Sequence, residues 1–194
     1  TKQVLVKVNP VASFTSSVSG QTVTFNNTST NATTYFWDFG DGGTSDEEDP
    51  VYTYADAGNY TVTLTATNDC GSSTKTVFII TAPTAAFEAN PTSGCASLFV
   101  SFDNQSSANA TSFAWSFPGG SPASSSQANP VITYAISGTY SVTLIAFNIS
   151  GSSTVIKTNY ITVQTVPSAG FTHSVNGLTA TFTNTSNGAT SYSW

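Results

Sequence analysis

Two aspartates three positions apart, Asp38 and Asp41, head the side chains in this 194-residue sequence that could do chemistry. Paired carboxylates suit general acid–base work, and carboxylate clusters suit hard cations. Seven of the ten acidic residues fall between Asp38 and Asp56, including the run Asp46, Glu47, Glu48 and Asp49. Calcium takes about six to eight oxygen ligands, and this stretch offers several. Asp38, Asp41, Asp46, Glu47, Glu48 and Asp49 therefore form a weak candidate calcium set, although the alternating spacing of an EF-hand loop is absent. The competing account is a tight turn, in which Asp and Gly side by side let carboxylates cap backbone N–H groups. The second account is favoured, because a related stretch later in the chain carries Ser116 and Gly119 at those two places.

His173 is the single histidine. Nucleophilic catalysis needs a base beside an activated Ser, Cys or Asp, held by a third group. Serines abound, yet no G-x-S-x-G elbow occurs. One His and two distant Cys cannot build a tetrahedral zinc site either. His173 reads as an exposed strand residue, and no enzyme and no cofactor are expected, calcium aside.

Composition narrows the partners. Lys+Arg number 4 against Asp+Glu 10, a net charge of −6, and charged residues are only 7 % of the chain. Phosphate backbones and anionic lipid surfaces are bound by clustered Lys and Arg, so neither nucleic acid nor a polybasic membrane contact is expected. No apolar run is long enough for a membrane-spanning helix. A hydrophobic fraction of 39 %, with 12 % aromatic, still allows cores to be built. Thr, Val, Tyr and Phe favour strands, and good helix formers are scarce, so the chain reads as all-β.

The sequence also repeats. Thr22-Val-Thr-Phe-Asn-Asn-Thr-Ser29 aligns with Phe99-Val-Ser-Phe-Asp-Asn-Gln-Ser106 and with Thr179-Ala-Thr-Phe-Thr-Asn-Thr-Ser186. Each is followed by a short run ending in Trp37, Trp115 or Trp194, which sets a period of about 80 residues. Tyr54-Ala-Asp-Ala-Gly-Asn-Tyr60 matches Tyr134-Ala-Ile-Ser-Gly-Thr-Tyr140 in the same way. In Tyr60-Thr-Val-Thr-Leu-Thr-Ala-Thr67 apolar residues alternate with Thr, one face for a core and one for water. Such strands, punctuated by Gly-rich turns, predict antiparallel sandwiches, with Trp37, Trp115, Trp194, Tyr60 and Tyr140 in their cores. The repeats divide the chain at 1–9 (last strand of a preceding repeat), 10–82, 83–166 and 167–194 (the first part of another), as in a segment of a longer array.

Trp37-Asp-Phe-Gly-Asp-Gly42, then Pro50-Val-Tyr-Thr-Tyr54 and Gly58-Asn-Tyr-Thr-Val-Thr-Leu64, resembles the PKD (polycystic kidney disease) domain. Repeat two departs at Trp115-Ser-Phe-Pro-Gly-Gly120, which removes the aspartates. The resemblance implies immunoglobulin-like sandwiches in extracellular multidomain proteins, with binding, spacing or adhesion in place of catalysis. It suggests a stalk, fibre or adhesin segment that associates with neighbouring repeats, with copies of itself or with surface polysaccharide or protein. The alternative is an accessory binding module of a secreted hydrolase. Low charge leaves strand edges little guarded against lateral pairing into filaments. Short Pro-containing linkers predict an extended array advancing about 35–45 Å per repeat.

In an extracellular chain with no other thiols, Cys70 and Cys95 suggest a bond. They fall in different repeats, so an intrachain bridge demands a fold-back at Pro83, because disulfides need Cα atoms within about 7 Å. Pairing between chains and free thiols follow in that order. N-glycosylation sequons occur at Asn26, Asn27, Asn31, Asn59, Asn104, Asn109, Asn148 and Asn184. Asn27, Asn104 and Asn184 share one repeat position, where capping of a strand end is the alternative.

Overall fold

A computed structural model describes residues 8–194; the strand expected over residues 1–9 thus lies mostly outside the described residues. Among the described residues there are strands and loops and no helix, so the chain is all-β. In the first repeat the strands are β1 (Phe14–Ser19), β2 (Thr22–Asn27), β3 (Thr34–Asp38), β4 (Thr44–Ser45), β5 (Val51–Thr53), β6 (Asn59–Asn68) and β7 (Gly71–Ile80). They form two sheets, β1-β2-β5 and β4-β3-β6-β7. The long β6–β7 pair runs antiparallel from Asn59 opposite Ile80 to Asn68 opposite Gly71. Alternation decides the faces: Val62, Leu64 and Ala66 are buried, while Thr61, Thr63, Thr65 and Thr67 point the other way.

Trp37 is fully buried and plugs the space between the sheets. Phe14 and Phe25, from the facing sheet, put their rings 4.9 and 5.2 Å from it. Buried aromatics of this size contribute much of the apolar area removed from water in a small sandwich. The indole N–H is not wasted, since Nε1 donates to the Glu47 carbonyl at 2.9 Å.

The second repeat holds β8 (Phe87–Asn90), β9 (Ser93–Cys95), β10 (Leu98–Asn104), β11 (Ser112–Ser116), β12 (Ser124–Ser125), β13 (Val131–Tyr134), β14 (Gly138–Asn148) and β15 (Gly151–Gln164). Its sheets are β13-β10-β8 and β12-β11-β14-β15-β9. Trp115, 2 % exposed, takes the plug position, and its Nε1 donates to the Gln127 carbonyl at 2.9 Å. One pairing departs from the antiparallel expectation: β9 runs parallel to the end of β15, from Ser93 opposite Thr162 to Cys95 opposite Gln164. In the first repeat Gly20 and Gln21 close a tight β1–β2 hairpin. The corresponding connection here is longer, which lets the chain cross to the edge of the other sheet before β10.

Beyond these lie β16 (Phe171–Asn176) and β17 (Thr179–Asn184), a single antiparallel hairpin. Trp194 was expected in a core and is instead 74 % exposed. Its ring meets Phe171 and Phe182 at 5.9 and 6.2 Å on one side. The hairpin supplies one layer only, and among the described residues no second sheet of this repeat covers the indole.

Tyr60 and Tyr140 also sit less deeply than expected, half-buried at the rim of their sandwiches. Their rings lie 3.7 and 4.8 Å from those of the buried Tyr54 and Tyr134. The phenolic groups donate back along the chain, Tyr60 to the Asp56 carbonyl at 2.7 Å and Tyr140 to the Ile136 carbonyl at 2.8 Å. This tyrosine corner ties an interstrand connection to the next strand. A Cβ at Gly58 or Gly138 would come within 3.1 Å of the hydroxyl, which accounts for glycine two residues before each tyrosine.

The chain divides into two compact units. One holds the described residues through Phe87 together with Asn104–Ala114 and Leu144–Val155; the other holds Glu88–Asp103, Trp115–Thr143 and Ile156–Trp194.

Candidate functional site

The acidic loop is built outward from Trp37. The indole hydrogen bond to the Glu47 carbonyl anchors the middle of the carboxylate run, and Asp38, Asp41 and Asp49 around it each accept from a backbone N–H. Asp38 Oδ1 accepts from the Gly40 N–H at 2.9 Å and Asp41 Oδ1 from the Gly43 N–H at 3.0 Å. Gly40 is required by its backbone: φ is +83°, and a Cβ there would strike the Thr61 carbonyl oxygen. Asp49 Oδ1 accepts from the Asn27 N–H at 2.7 Å, tying the far end of the loop to the end of β2. The Tyr52 hydroxyl donates to the Asp41 carboxylate, with contacts of 2.9 and 3.1 Å.

The phenols respond to this arrangement. Tyr54, buried and donating to the Phe39 carbonyl at 2.9 Å, is held well above the ordinary tyrosine range by burial first and then by the Asp41 charge. Tyr52 and Tyr60 shift the same way, each chiefly by burial, with Asp41 adding to it. In the second repeat burial pushes Tyr134 up to about 12.

The six candidate calcium ligands do not converge. Asp38, Asp41 and Asp49 each cap a different backbone N–H. Among the described residues no group of three or more His, Cys, Asp or Glu side chains is placed to hold a metal ion. The loop does border an open groove of about 630 Å³ on the outer face of the β3–β6 pair. Asp46 and Glu48 flank it, Thr34, Thr65 and Thr67 line its floor, and Phe36 is half exposed beside them. A second concavity, about 480 Å³, lies between the β16–β17 hairpin and the segment from Ala189 to Trp194. It is the uncovered apolar side of that hairpin.

His173 lies exposed on β16 opposite Phe182, with ring centroids 6.3 Å apart. That is an ordinary cross-strand pair on an exposed hairpin. Cys70 and Cys95 are both free and exposed, so the intrachain bridge ranked first from the sequence is not formed. Cys70 occupies the tight β6–β7 turn, where its N–H is capped by Asn68 Oδ1 at 2.7 Å, and Cys95 ends the short β9 strand.

The sequon asparagines separate by what their side chains do. Asn27 Nδ2 is buried, so the atom to which a glycan would attach is closed to solvent, against the sequence expectation for that residue. Its Oδ1, and those of Asn104 and Asn184, accept from the N–H two residues on at 2.8–3.0 Å, which is the strand-end cap. Asn148 Nδ2 is spent on two backbone carbonyls. Asn59 stands exposed at the start of β6. The buried asparagine at 109 and its partners were not legible beforehand, because a sequon describes a side chain by its neighbours in sequence alone.

Comparison with known proteins agrees with the motifs. The PKD domain family model matches residues 7–81 and 80–163. Over 70 residues the chain is 47 % identical to the pre-pro-metalloprotease PrtV of Vibrio cholerae serotype O1, a match that takes in 34 % of this chain and 8 % of that protein. Among solved structures, the PKD1 domain of the Vibrio cholerae metalloprotease PrtV is 43 % identical, covering 38 % of this chain and 98 % of that one, with a TM-score of 0.36. The PKD1 domain of Vibrio anguillarum Epp is 37 % identical, covering 39 % and 96 %, with a TM-score of 0.37.

Proposed function

The chain belongs to the PKD domain family across most of its length, and from that premise we propose that it is a non-catalytic, extracellular repeat segment acting as a stalk or fibre. One observation carries the reading: the paired aspartates, the side chains best suited to acid–base work, are engaged by their own fold. Asp38, Asp41 and Asp49 cap turns and strand ends, and both buried indoles anchor loops. A segment of this kind contributes length through copy number, with stability local to each repeat. It would associate with neighbouring repeats or with further copies of itself.

The test is binding by the whole 194-residue chain to chitin, cellulose and collagen, together with electron microscopy of the native full-length protein. No saturable binding, and repeats visible as threads or ordered fibres, is the expected outcome. Saturable binding to any one of them would overturn it.

A second reading, an accessory binding module of a secreted hydrolase, is favoured by two specific facts. One matched relative is a metalloprotease, of which the matched segment is only 8 %. The groove beside Phe36 combines an exposed ring, threonine hydroxyls and two carboxylates, a mixture able to stack on and hydrogen-bond to a polar polymer. Under this reading Phe36→Ala would abolish any saturable binding; unchanged affinity would exclude that groove.

A further inference from the structure

The linker that enters the second repeat is buried except at Thr84. Thr81 is wholly inaccessible, and Ala82, Pro83 and Ala85 are buried with it. Connecting segments normally run over the surface, because a buried one must have every backbone polar group satisfied. Here the chain supplies the partners. The Thr81 carbonyl accepts from Asn148 Nδ2 at 2.8 Å and from Asn109 Nδ2 at 2.9 Å. The Ala82 N–H donates to the Gly20 carbonyl at 3.0 Å. The Thr84, Ala85 and Ala86 N–H groups donate to the hydroxyls of Ser107, Ser153 and Ser106 at 2.8, 3.1 and 3.2 Å. The linker and the two loops that grip it fall in one compact unit, the one that combines residues through Phe87 with Asn104–Ala114 and Leu144–Val155.

We propose that these asparagines and serines form a main-chain binding site whose occupant is the x-x-Pro linker entering the repeat, so that this linker is a fixed joint and not a hinge. The chemistry selects asparagine. A carboxamide nitrogen carries two hydrogens, and Asn148 uses them on the Thr81 and Asn109 carbonyls together. Asn109, only 8 % exposed, donates in turn to Thr81 and accepts from the Ser107 hydroxyl at 2.7 Å. The first repeat carries a related hydrogen-bond pattern around its own entry segment, although Val8 and Val11 there are exposed. Asn68 Nδ2 bonds both the Val8 and Asn31 carbonyls, two residues before Pro10 as Thr81 is two before Pro83. There the Ala12 and Ser13 N–H groups donate to the Ser73 and Ser29 hydroxyls at 3.2 and 3.0 Å. A third partial copy follows Pro167, where the Gly170 N–H donates to the Ser186 hydroxyl at 3.0 Å. The inference holds whether the array is a stalk or an accessory module.

Native-state amide exchange on the whole chain tests it. In the unmodified protein the Ala82, Thr84 and Ala85 amides are expected to exchange as slowly as those of β6. Asn148→Asp keeps the Oδ1 cap on the Ser150 N–H and removes both donors; it is expected to speed linker exchange at least about tenfold while β6 stays protected. Ser153→Ala removes only the acceptor for Ala85, so it reports on the site even if Asn148→Asp fails to fold, and it is expected to deprotect Ala85 first. Linker amides that exchange at open-loop rates in the unmodified chain would overturn the proposal. So would Ser153→Ala leaving Ala85 within about twofold of its original rate.

Discussion

Tyr54 and Tyr134 occupy one repeat position and are both buried, yet their hydroxyls differ. Tyr54 donates to the Phe39 carbonyl, whereas the Tyr134 hydroxyl is buried with no hydrogen-bond partner. Removing one member of a buried hydrogen bond costs about 1–2 kcal/mol, because its partner loses both the bond and access to water. Removing an unsatisfied hydroxyl relieves a desolvation cost already incurred. Tyr54→Phe is therefore expected to lower the urea midpoint by the equivalent of about 1–2 kcal/mol, and Tyr134→Phe to leave it unchanged or raise it. Equal losses in the two variants would show that Tyr134 finds a partner in solution. At this scale the sequence was informative about type and less about depth. The tryptophans at 37 and 115 were legible as plugs because each lies on an alternating run with two aromatic strands to face. Trp194 lies on a similar run but faces only one hairpin, so the same letter in the same motif gives an exposed ring.

Strand faces follow from period two, and the Thr61–Thr67 alternation is legible in the sequence. Edges were not, because which strand ends a sheet depends on topology. Low overall charge suggested poorly guarded edges, but one of the few lysines is placed where it counts. Strand β7 ends its sheet, and Lys75 on it pairs with the buried Leu64, so a charge sits on the core-facing side of an edge strand. Lys157, on β15 before the stretch that β9 covers, is instead bound to Glu88 at 3.1 Å and lies 4.6 Å from the centre of the Tyr160 ring. An inward-facing charge on an edge blocks edge-to-edge pairing, since a second strand docking there would bury it unpaired. Lys75→Val would continue the apolar series through Val77 and Ile79 and remove that obstacle. Light scattering of the variant is expected to rise with protein concentration while the parent stays unchanged; identical curves would mean that β7 is guarded by something other than its lysine. The linker was the least legible element of all. Its Pro marked a boundary, but its burial depends on Asn109, Asn148 and Ser153, 28 or more residues from their linker partners in the chain, and no local pattern points from one to the other.

For the whole molecule, these groups make base, more than acid, the expected route to unfolding. Tyr52, Tyr54, Tyr60 and Tyr134 all have their ionisation raised in the folded state, chiefly by burial. A raised acid pKa means the unfolded chain releases its proton first, so the contribution is complete below about pH 10 and is lost as pH climbs through the folded values. On the acid side Glu88 is held below the ordinary carboxylate range by hydrogen bonds from Lys157 and Tyr160, but it is fully exposed and its contribution is correspondingly weak. Melting temperature is therefore expected to stay nearly level from about pH 5 to pH 9 and to fall steeply above about pH 10. Ionisation of the buried Tyr54 and Tyr134, read as the last rise in phenolate absorbance, should appear only together with loss of tryptophan burial. Tyr134→Phe removes one of the raised groups and should shift the alkaline midpoint upward without altering the acid limb. A single smooth phenolate titration near pH 10, completed while Trp37 and Trp115 remain buried, would show that the phenols ionise inside the intact sandwiches and that burial does not hold their protons.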